Sequence, residues 1–304
     1  MRICAIDVGT NTVQSVVADV TPDGSLSVVA DEERFARLGQ GVDAARRLAP
    51  EAMDRVVDRL AQAQATAVRL DAEQTVIAAT SASRDAANVA DLQDRVRREL
   101  GLEYAVIAGV REAELSFRGA LAMLAPASQG GLDEAVVLDI GGGSTEVVVG
   151  SRTSGIAYRT SLDVGSVRLT ERHLRPAPPS VAGIAAAHAD VAAAFREVPA
   201  DAVAGLPVVA TGSVARLVAR LAGVEGMAPR VSLATLAAWR DRLLALTPAE
   251  TLAIAPEVLA GREDVVAAAV LVLGTALRAL GAEAYVASPG GLRHGLALDT
   301  AAAG

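Results

Sequence analysis

The chain has no lysine, one cysteine and very few aromatic residues, and each shortage excludes a class of function. All 28 basic residues are arginines, and 36 acidic residues bring the net charge to −8. A chain this acidic has no overall field that attracts a polyanion, so a phosphate-rich ligand must be bound by local clusters and backbone dipoles. Aromatic residues make up 2% of the chain, too few for the stacking surfaces that bind single-stranded nucleic acids. We therefore expect no nucleic-acid partner.

Cys4 is the only cysteine, so the chain can form neither an internal disulfide nor a thiolate zinc site. No two of its three histidines have the spacing of metal ligands. Such cysteine usage is typical of a reducing compartment, and the amino terminus enters a strand without the segments of a signal peptide. The most apolar segment, residues 265–280, is shorter than the roughly 20 residues of a membrane span. We expect a cytoplasmic protein with no membrane partner.

A short phrase is present twice, once at the amino terminus and once near the middle. Residues 5–14 read AIDVGTNTVQ, and residues 138–146 read LDIGGGSTE. In each, an apolar run ends in Asp, turns through glycine and hydroxyl residues, and enters a second apolar run, which is typical of strand, turn and strand. One copy alone would be interpreted as an ordinary hairpin. Two copies indicate a duplicated domain whose glycine turns face each other across a cleft.

The turns of both copies are the predicted phosphate-binding sites, because glycine permits close approach and the backbone N–H groups bind anions. Asp7 and Asp139 end their strands, and Glu146 follows soon after Asp139. Mg²⁺ is typically held by one or two carboxylates together with waters and phosphates, so these three acids are the predicted ligands of Mg²⁺, or of Mn²⁺ in its place. The predicted phosphate-binding residues of the two turns are Gly9, Thr10, Asn11, Thr12, Gly141, Gly142, Gly143, Ser144 and Thr145.

Predicted strands and helices alternate along the chain, which is typical of an α/β fold. The turn at Thr211, Gly212 and Ser213 lies between a strand and a helix. Helix amino termini bind anions, so Gly212 and Ser213 are added to the predicted phosphate-binding residues, with simple helix capping as the alternative. The apolar spacing predicts that the helices of the second half include residues 231–246 and 265–280.

A proline and two glycines, Pro126, Gly130 and Gly131, interrupt the pattern near the middle. Such residues punctuate regular structure, so we place the domain boundary there. The predicted units are domain I, residues 1–125, domain II, residues 126–291, and a terminal helix over about residues 292–304 that packs back on domain I.

Five segments occur in order: DVGTNT at 7–12, TSASRDA at 80–86, GVREAEL at 109–115, DIGGGSTE at 139–146 and GSVRLTE at 165–171. This series resembles the exopolyphosphatase/guanosine pentaphosphate phosphohydrolase (Ppx/GppA) family, within the superfamily of actin, sugar kinases and heat-shock chaperones. The resemblance covers essentially the whole chain, as a short form without the extra C-terminal domains of longer members. It implies a duplicated ribonuclease H-like fold of two domains with a cleft between them, and a homodimer.

The resemblance also implies roles for the matching residues. Glu112 matches the catalytic base that activates water, Arg84 matches an arginine near the phosphate chain, and Asp7 matches the acid of the first phosphate loop. Asp139 and Glu146 match acids near the metal and the terminal phosphate. On sequence context alone, the first two are an acid in a first helical turn and an arginine after a strand, and neither is distinctive.

Two positions depart from the family pattern. Arg111 stands where many members have a second glutamate next to the base, and His294 stands where members often have a glutamate in the segment Leu-Arg-Glu-Gly. Because Glu112 is retained, the first departure is not interpreted as loss of activity. The second concerns the rim of the predicted cleft.

The implied activity is a Mg²⁺-dependent exopolyphosphatase that cuts the terminal phosphoanhydride of inorganic polyphosphate and releases orthophosphate. The acidic charge and the missing C-terminal extension favour short chains. Three alternatives remain open: a guanosine pentaphosphate phosphohydrolase, a non-catalytic sensor that binds guanosine tetraphosphate or another nucleotide, and an ATP-dependent kinase of the same superfamily. Fold alone does not separate them.

Overall fold

The computed structural model describes residues 1–125 and 132–303. The predicted domain boundary at Pro126, Gly130 and Gly131 lies outside these described residues. The chain separates into two compact units, one of which is built from both an amino-terminal and a carboxyl-terminal segment.

Unit 1 comprises Met1–Met123 with Gly290–Gly304, and unit 2 comprises Leu124–Pro289. The strands, in chain order, are β1 (Arg2–Val8), β2 (Thr12–Val20), β3 (Leu26–Phe35), β4 (Gln74–Ala79), β5 (Ala105–Val106), β6 (Glu134–Ile140), β7 (Thr145–Ser151), β8 (Gly155–Leu162), β9 (Val208–Thr211), β10 (Arg230–Ser232) and β11 (Ala284–Ala287). The helices are α1 (Val42–Ala45), α2 (Pro50–Arg69), α3 (Ser81–Asp85), α4 (Val89–Leu100), α5 (Gly109–Ala122), α6 (Ser166–His173), α7 (Val181–Phe195), α8 (Ala200–Val203), α9 (Ser213–Leu221), α10 (Leu233–Leu244), α11 (Pro248–Ile254), α12 (Pro256–Leu259), α13 (Val266–Ala279) and α14 (Leu292–Ala303).

The described part of unit 1 holds a five-stranded sheet in the order β3-β2-β1-β4-β5. Strands β1, β4 and β5 are parallel, while β2 is antiparallel to both β1 and β3. Along β1, Cys4 and Ile6 belong to a core cluster that includes α2, whereas Ile3 and Ala5 belong to a second cluster that includes Ala297 of α14. Because successive strand residues point to opposite faces, helices cover this sheet on both sides.

The described part of unit 2 holds a six-stranded sheet in the order β10-β11-β9-β6-β7-β8. Strands β8, β7, β6, β9 and β11 repeat the order and directions of β3, β2, β1, β4 and β5. The repeat extends to residue register, since Asp7 pairs with Gln14 and Asp139 pairs with Glu146. The predicted fold class, a duplicated ribonuclease H-like α/β fold, is thereby confirmed.

Helix α13 lies inside unit 2, and its burial explains the long apolar run in the sequence. Its residues belong to the main hydrophobic cluster of this unit, and it packs against α6, α7, α9 and α10. A helix with neighbours on several sides is apolar over most of its circumference. None of the helices in the described residues combines the length and the hydrophobicity of a membrane span.

The predicted helix over residues 231–246 was wrong at its start. Residues Arg230–Ser232 form the edge strand β10, which pairs antiparallel with β11. Ser232 then caps α10 by accepting a hydrogen bond from the backbone N–H of Thr235 (3.0 Å). The apolar Val231 fits a strand and a helix equally well, and only pairing with a strand distant in sequence decides between them.

Helices α5 and α14 of unit 1 pack so closely that backbone touches backbone. A Cβ atom built on Gly119 would lie 2.0 Å from the carbonyl oxygen of Gly291, and one on Gly295 would lie 1.9 Å from that of Leu115. Both positions therefore exclude every side chain. This contact joins the carboxyl-terminal helix to the rest of unit 1.

We predict that Gly295→Ala lowers the free energy of unfolding by about 1–3 kcal/mol, the usual cost of overpacking. The reason is that the new methyl group would overlap a backbone atom that cannot move alone. Gly274→Ala in α13 is the matched control, because its Cβ would lie 3.6 Å from Leu236 Cδ2, and it should be neutral or stabilising by about 0.5–1 kcal/mol. Urea unfolding followed by circular dichroism measures both. Equal stability of the two variants would contradict the tight contact.

Candidate active site

The two repeated turns are closed by the same hydrogen bond. The N–H of Gly9 donates to the carbonyl oxygen of Thr12 (2.9 Å), and the N–H of Gly141 donates to that of Ser144 (3.0 Å). Each turn directly follows a strand, β1 or β6, whose next-to-last residue is the predicted acid. The strand, turn and strand expected from the repeated phrase are therefore present in both units.

The second turn offers three successive backbone donors. Within the described residues, the N–H groups of Gly142, Gly143 and Ser144 donate to no acceptor. Successive N–H groups in a turn form a concave site that binds anions. The side chain of Thr145 is engaged elsewhere, because its Oγ1 donates to the carbonyl oxygen of Val164 (2.6 Å) and the residue is fully buried. The backbone, and not this hydroxyl, is what the second turn presents.

The first turn is held by the segment that follows β3. The carbonyl oxygen of Thr10 accepts the N–H of Gly39 (2.8 Å), and that of Asn11 accepts the N–H groups of Ala36 (3.0 Å) and Arg37 (2.9 Å). The N–H groups of Thr10 and Asn11 donate to no acceptor in the described part of the chain. This turn therefore also presents backbone donors, next to Asp7 at the end of β1.

Two carboxylates lie side by side in unit 2. Asp139 and Glu146 are directly opposite each other on β6 and β7, and such pairs share one face of a sheet. Glu146 is 1% exposed and accepts a hydrogen bond from Ser161 Oγ (2.7 Å). The turn before α9 approaches the same place, since a Cβ on Gly212 would lie 3.0 Å from Asp139 Oδ1. The predicted residues Gly212 and Ser213 are thus next to this acid pair.

The acid pair suits a hard cation with an open coordination sphere. The described residues include no group of three His, Cys, Asp or Glu side chains placed to hold a metal. Two carboxylates on neighbouring strands supply what Mg²⁺ takes from a protein, with the remaining positions for waters and phosphate oxygens. In unit 1 the equivalent of Glu146 is the neutral Gln14 opposite Asp7. The pair of acids is therefore a feature of unit 2.

Arg84 and Glu112 form an ion pair in unit 1. Arg84 Nη1 lies 2.6 Å from Glu112 Oε2 and also donates to the carbonyl oxygen of Ile107 (3.1 Å). The side chain of Glu112 is 9% exposed, and its backbone N–H begins α5 by donating to Ala108. An ion pair requires the charged carboxylate, which is also the form that accepts a proton. The structure thus brings together Arg84 and Glu112, which no sequence pattern connects.

The position of Arg84 follows from how α3 is attached. The N–H of Thr80 donates to the carbonyl oxygen of Val8 (3.1 Å), so α3 begins beside the end of β1 and its turn. Ser83 shares a hydrogen bond with the buried phenol of Tyr104 (2.8 Å). Burial raises the pKa of Tyr104 above its usual range, so the phenol is neutral at physiological pH. These two bonds fix the short helix that carries Arg84.

The two departures from the family pattern have structural partners. Arg111 forms ion pairs with Glu114 in its own helix and with Asp299 of α14. His294 is 1% exposed and its Nε2 lies 3.9 Å from Asp31 Oδ2. Arg111 thus takes part in the contact between α5 and α14.

Three functional candidates were missed in the sequence. Arg293 donates to both oxygens of Asp31 (2.8 Å each) and to Oε1 of Gln14 (2.6 Å), the residue opposite Asp7. Ser161 binds Glu146, and Arg168 contacts the second turn. Arg168 and Arg293 each had a signal, because they lie in the segments GSVRLTE at 165–171 and LRHG at 292–295. Ser161 had none, because its role depends on its register opposite Glu146 on the neighbouring strand.

Comparisons with known proteins agree on one family. A model of the Ppx/GppA phosphatase family matches residues 16–303. Exopolyphosphatase 2 of Mycobacterium tuberculosis is 36% identical, over 99% of this chain and 98% of that protein. The crystal structure of an exopolyphosphatase-like protein has a TM-score of 0.89 and 31% identity, and covers 100% of this chain and 99% of its own. A guanosine-5'-triphosphate,3'-diphosphate pyrophosphatase of Photobacterium profundum is 34% identical over 56% of this chain and 33% of its own length.

We predict a measurable coupling between Arg84 and Glu112. Arg84→Met should destabilise unit 1 because it leaves a nearly buried carboxylate without its cation. Combining it with Glu112→Gln should recover part of that loss, with a coupling energy of about 0.5–3 kcal/mol in urea unfolding. The same cycle on Arg97 and Asp94, whose side chains are 66% and 67% exposed, is the control and should show no resolvable coupling. Additive effects at Arg84 and Glu112 would contradict the pair.

Proposed function

The chain belongs to the Ppx/GppA phosphatase family, and we propose that it is an exopolyphosphatase that cuts the terminal phosphoanhydride of inorganic polyphosphate and releases orthophosphate. It is an enzyme of phosphoanhydride hydrolysis, the activity that the names of its relatives share. The observation that best supports the proposal is the second turn, where three backbone N–H groups without acceptors lie next to a pair of acids.

Polyphosphate offers a protein only repeated negative charge, with no base or sugar to recognise. The turns of both units present N–H groups, which bind phosphate oxygens without adding net charge. Arg84 is the charged donor next to the first turn, and Gly212 and Ser213 lie at the amino terminus of α9, where the helix dipole favours an anion. The net charge of −8 disfavours a long basic channel, so short chains are the proposed substrates.

Asp139 and Glu146 are the residues that would hold Mg²⁺ in this proposal, with Asp7 as the acid of the first turn. When bound, Mg²⁺ supplies neutralisation of the negative charge on the phosphate oxygens. Ser161 fixes one oxygen of Glu146 through its hydroxyl, and a hydrogen bond of this kind orients a ligating carboxylate. Mn²⁺ would bind the same carboxylates in place of Mg²⁺.

Glu112 is the proposed general base. Its carboxylate takes a proton from water as the water oxygen bonds to the terminal phosphorus, and the bridging P–O bond breaks to leave a chain shorter by one phosphate. Arg84 holds one oxygen of this carboxylate in place (2.6 Å). A base that is fixed before substrate binds does not need to be reoriented during the reaction.

A second candidate function has one specific observation in its favour. The guanosine-5'-triphosphate,3'-diphosphate pyrophosphatase matches over 56% of this chain, and its substrate ends in the same kind of anhydride. Phosphate release from polyphosphates of defined length and from guanosine pentaphosphate, with and without Mg²⁺, separates the two. Transfer from ATP to a sugar or acid would indicate the kinase alternative, and nucleotide binding without phosphate release would indicate a sensor.

We predict that Glu112→Gln lowers kcat for phosphate release by about 10²–10⁴-fold, the usual contribution of a general base. The amide keeps the size of the side chain but cannot accept the proton. Glu114→Gln in the same helix makes the same chemical change at a residue paired with Arg111 and should retain activity. Colorimetric phosphate release from short polyphosphates measures both. Full activity of Glu112→Gln would remove this residue from the mechanism.

A further prediction concerns the acid pair. Glu146→Gln should raise the Mg²⁺ concentration that gives half-maximal activity by about 10–100-fold, because one of two anionic ligands is lost. Calorimetric titration with Mn²⁺ should show the same weakening without any substrate. Glu134→Gln changes an exposed acid on the same strand as Asp139 and is the control. Unchanged metal affinity in Glu146→Gln would place the cation elsewhere.

A further inference from the structure

The segment at residues 165–171 belongs to the family resemblance but has no role in the reaction proposed above. It comprises Gly165 and most of α6, and it contacts the second turn through both backbone and side-chain atoms. We propose that α6 and the guanidinium of Arg168 position the second turn for phosphate. This inference rests on the proposed function, in which that turn binds phosphate.

Three successive carbonyl groups of the turn accept hydrogen bonds from α6. The carbonyl oxygen of Gly141 accepts the N–H of Ser166 (3.0 Å), and that of Gly142 accepts the N–H groups of Val167 (2.8 Å) and Arg168 (3.1 Å). The carbonyl oxygen of the next residue, Gly143, accepts Nε of Arg168 (2.7 Å). The first N–H groups of α6 are thus used to bind protein carbonyls.

These bonds determine where the turn directs its donors. In a trans peptide the C=O and N–H groups point in opposite directions. The carbonyls of residues 141, 142 and 143 share their peptide planes with the N–H groups of Gly142, Gly143 and Ser144. Holding the carbonyls against α6 therefore aims those three N–H groups away from α6. They are the same groups that have no acceptor within the described residues.

The residue before α6 must be glycine for this contact to form. A Cβ atom on Gly165 would lie 2.6 Å from C and O of Gly142 and 2.6 Å from N of Gly143. These are backbone atoms of the turn itself. Any side chain at this position would push the turn away from the helix and rotate the peptide planes that carry the donors.

Arg168 contributes what a backbone donor cannot. It is 6% exposed, so a cation is retained next to the turn at the cost of its desolvation. Its hydrogen bond polarises the peptide that ends in the N–H of Ser144 and strengthens that donor toward an anion. In the first turn the equivalent carbonyls, those of Thr10 and Asn11, accept only backbone N–H groups among the described residues. The arginine is therefore a property of the second turn, which lies beside the acid pair.

Arg168→Met and Arg168→Lys test the positioning role. We expect Arg168→Met to raise the KM for short polyphosphate by at least about tenfold, which corresponds to about 1.4 kcal/mol, and to leave the pH dependence of kcat unchanged. The dissociation constant for methylenebisphosphonate, a non-hydrolysable analogue with a P–C–P bridge, should rise by a similar factor in calorimetry. Arg168→Lys should be intermediate, because lysine keeps the charge but lacks the Nε–H.

Two further variants separate this role from general stability. Gly165→Ala disturbs the same turn through different atoms and should give the same rise in KM and in the dissociation constant. It therefore tests the role even if Arg168→Met fails to fold. Arg172→Met, on α6 with a side chain that is 38% exposed, should leave both values unchanged. If Arg168→Met folds and its KM and dissociation constant are unchanged, the positioning role alone is overturned. If Arg168→Met does not fold, unchanged constants in folded Gly165→Ala overturn it instead. A wild-type protein that neither binds the analogue nor releases phosphate overturns the proposed function as well.

Discussion

Binding a polyanion with an acidic chain is the constraint on which the site depends. The chain has no lysine and a net charge of −8, so positive potential must come from oriented peptide groups and a few arginines. Peptide groups are useful only when their carbonyls are bound on one side and their N–H groups are left on the other. In unit 1 the segment after β3 binds those carbonyls, and in unit 2 helix α6 binds them. Each unit therefore places a rigid segment against its turn.

The two units share the same arrangement of strand, turn and strand, but substitutions give the residues beside the two turns different chemistry. At matching register positions, Glu146 in unit 2 corresponds to Gln14 in unit 1. Glu146 is buried and accepts a hydrogen bond from the hydroxyl of Ser161, whereas Gln14 accepts a hydrogen bond from Arg293 (2.6 Å). The proposed base, Glu112, lies outside both copies.

Features that depend on local sequence patterns could be predicted, whereas contacts between residues distant in sequence could not. Two Asp-containing glycine turns with flanking apolar runs predict the duplication and both turns, and alternating strands and helices predict the α/β class, because turn chemistry and periodicity are local. The segment at 165–171 is part of the family resemblance, yet its contact with the second turn depends on tertiary packing. Arg84 and Glu112 gained roles only by resemblance, and no spacing shows that they pair (2.6 Å). Arg293 and Asp31 lie at opposite ends of the chain, so no local pattern connects them.

The contact between α5 and α14 has a consequence for the order in which the protein can be made. Unit 1 needs α14, which follows all of unit 2 in the chain, and the glycines at their contact leave no gap for a substitute. During synthesis, unit 2 is complete as soon as its last strand has left the ribosome. Unit 1 must wait with one face of its sheet uncovered until α14 emerges. Because α14 begins at Leu292, only a few residues after β11 ends at Ala287, the two units are completed at nearly the same point of synthesis, although unit 1 is begun first.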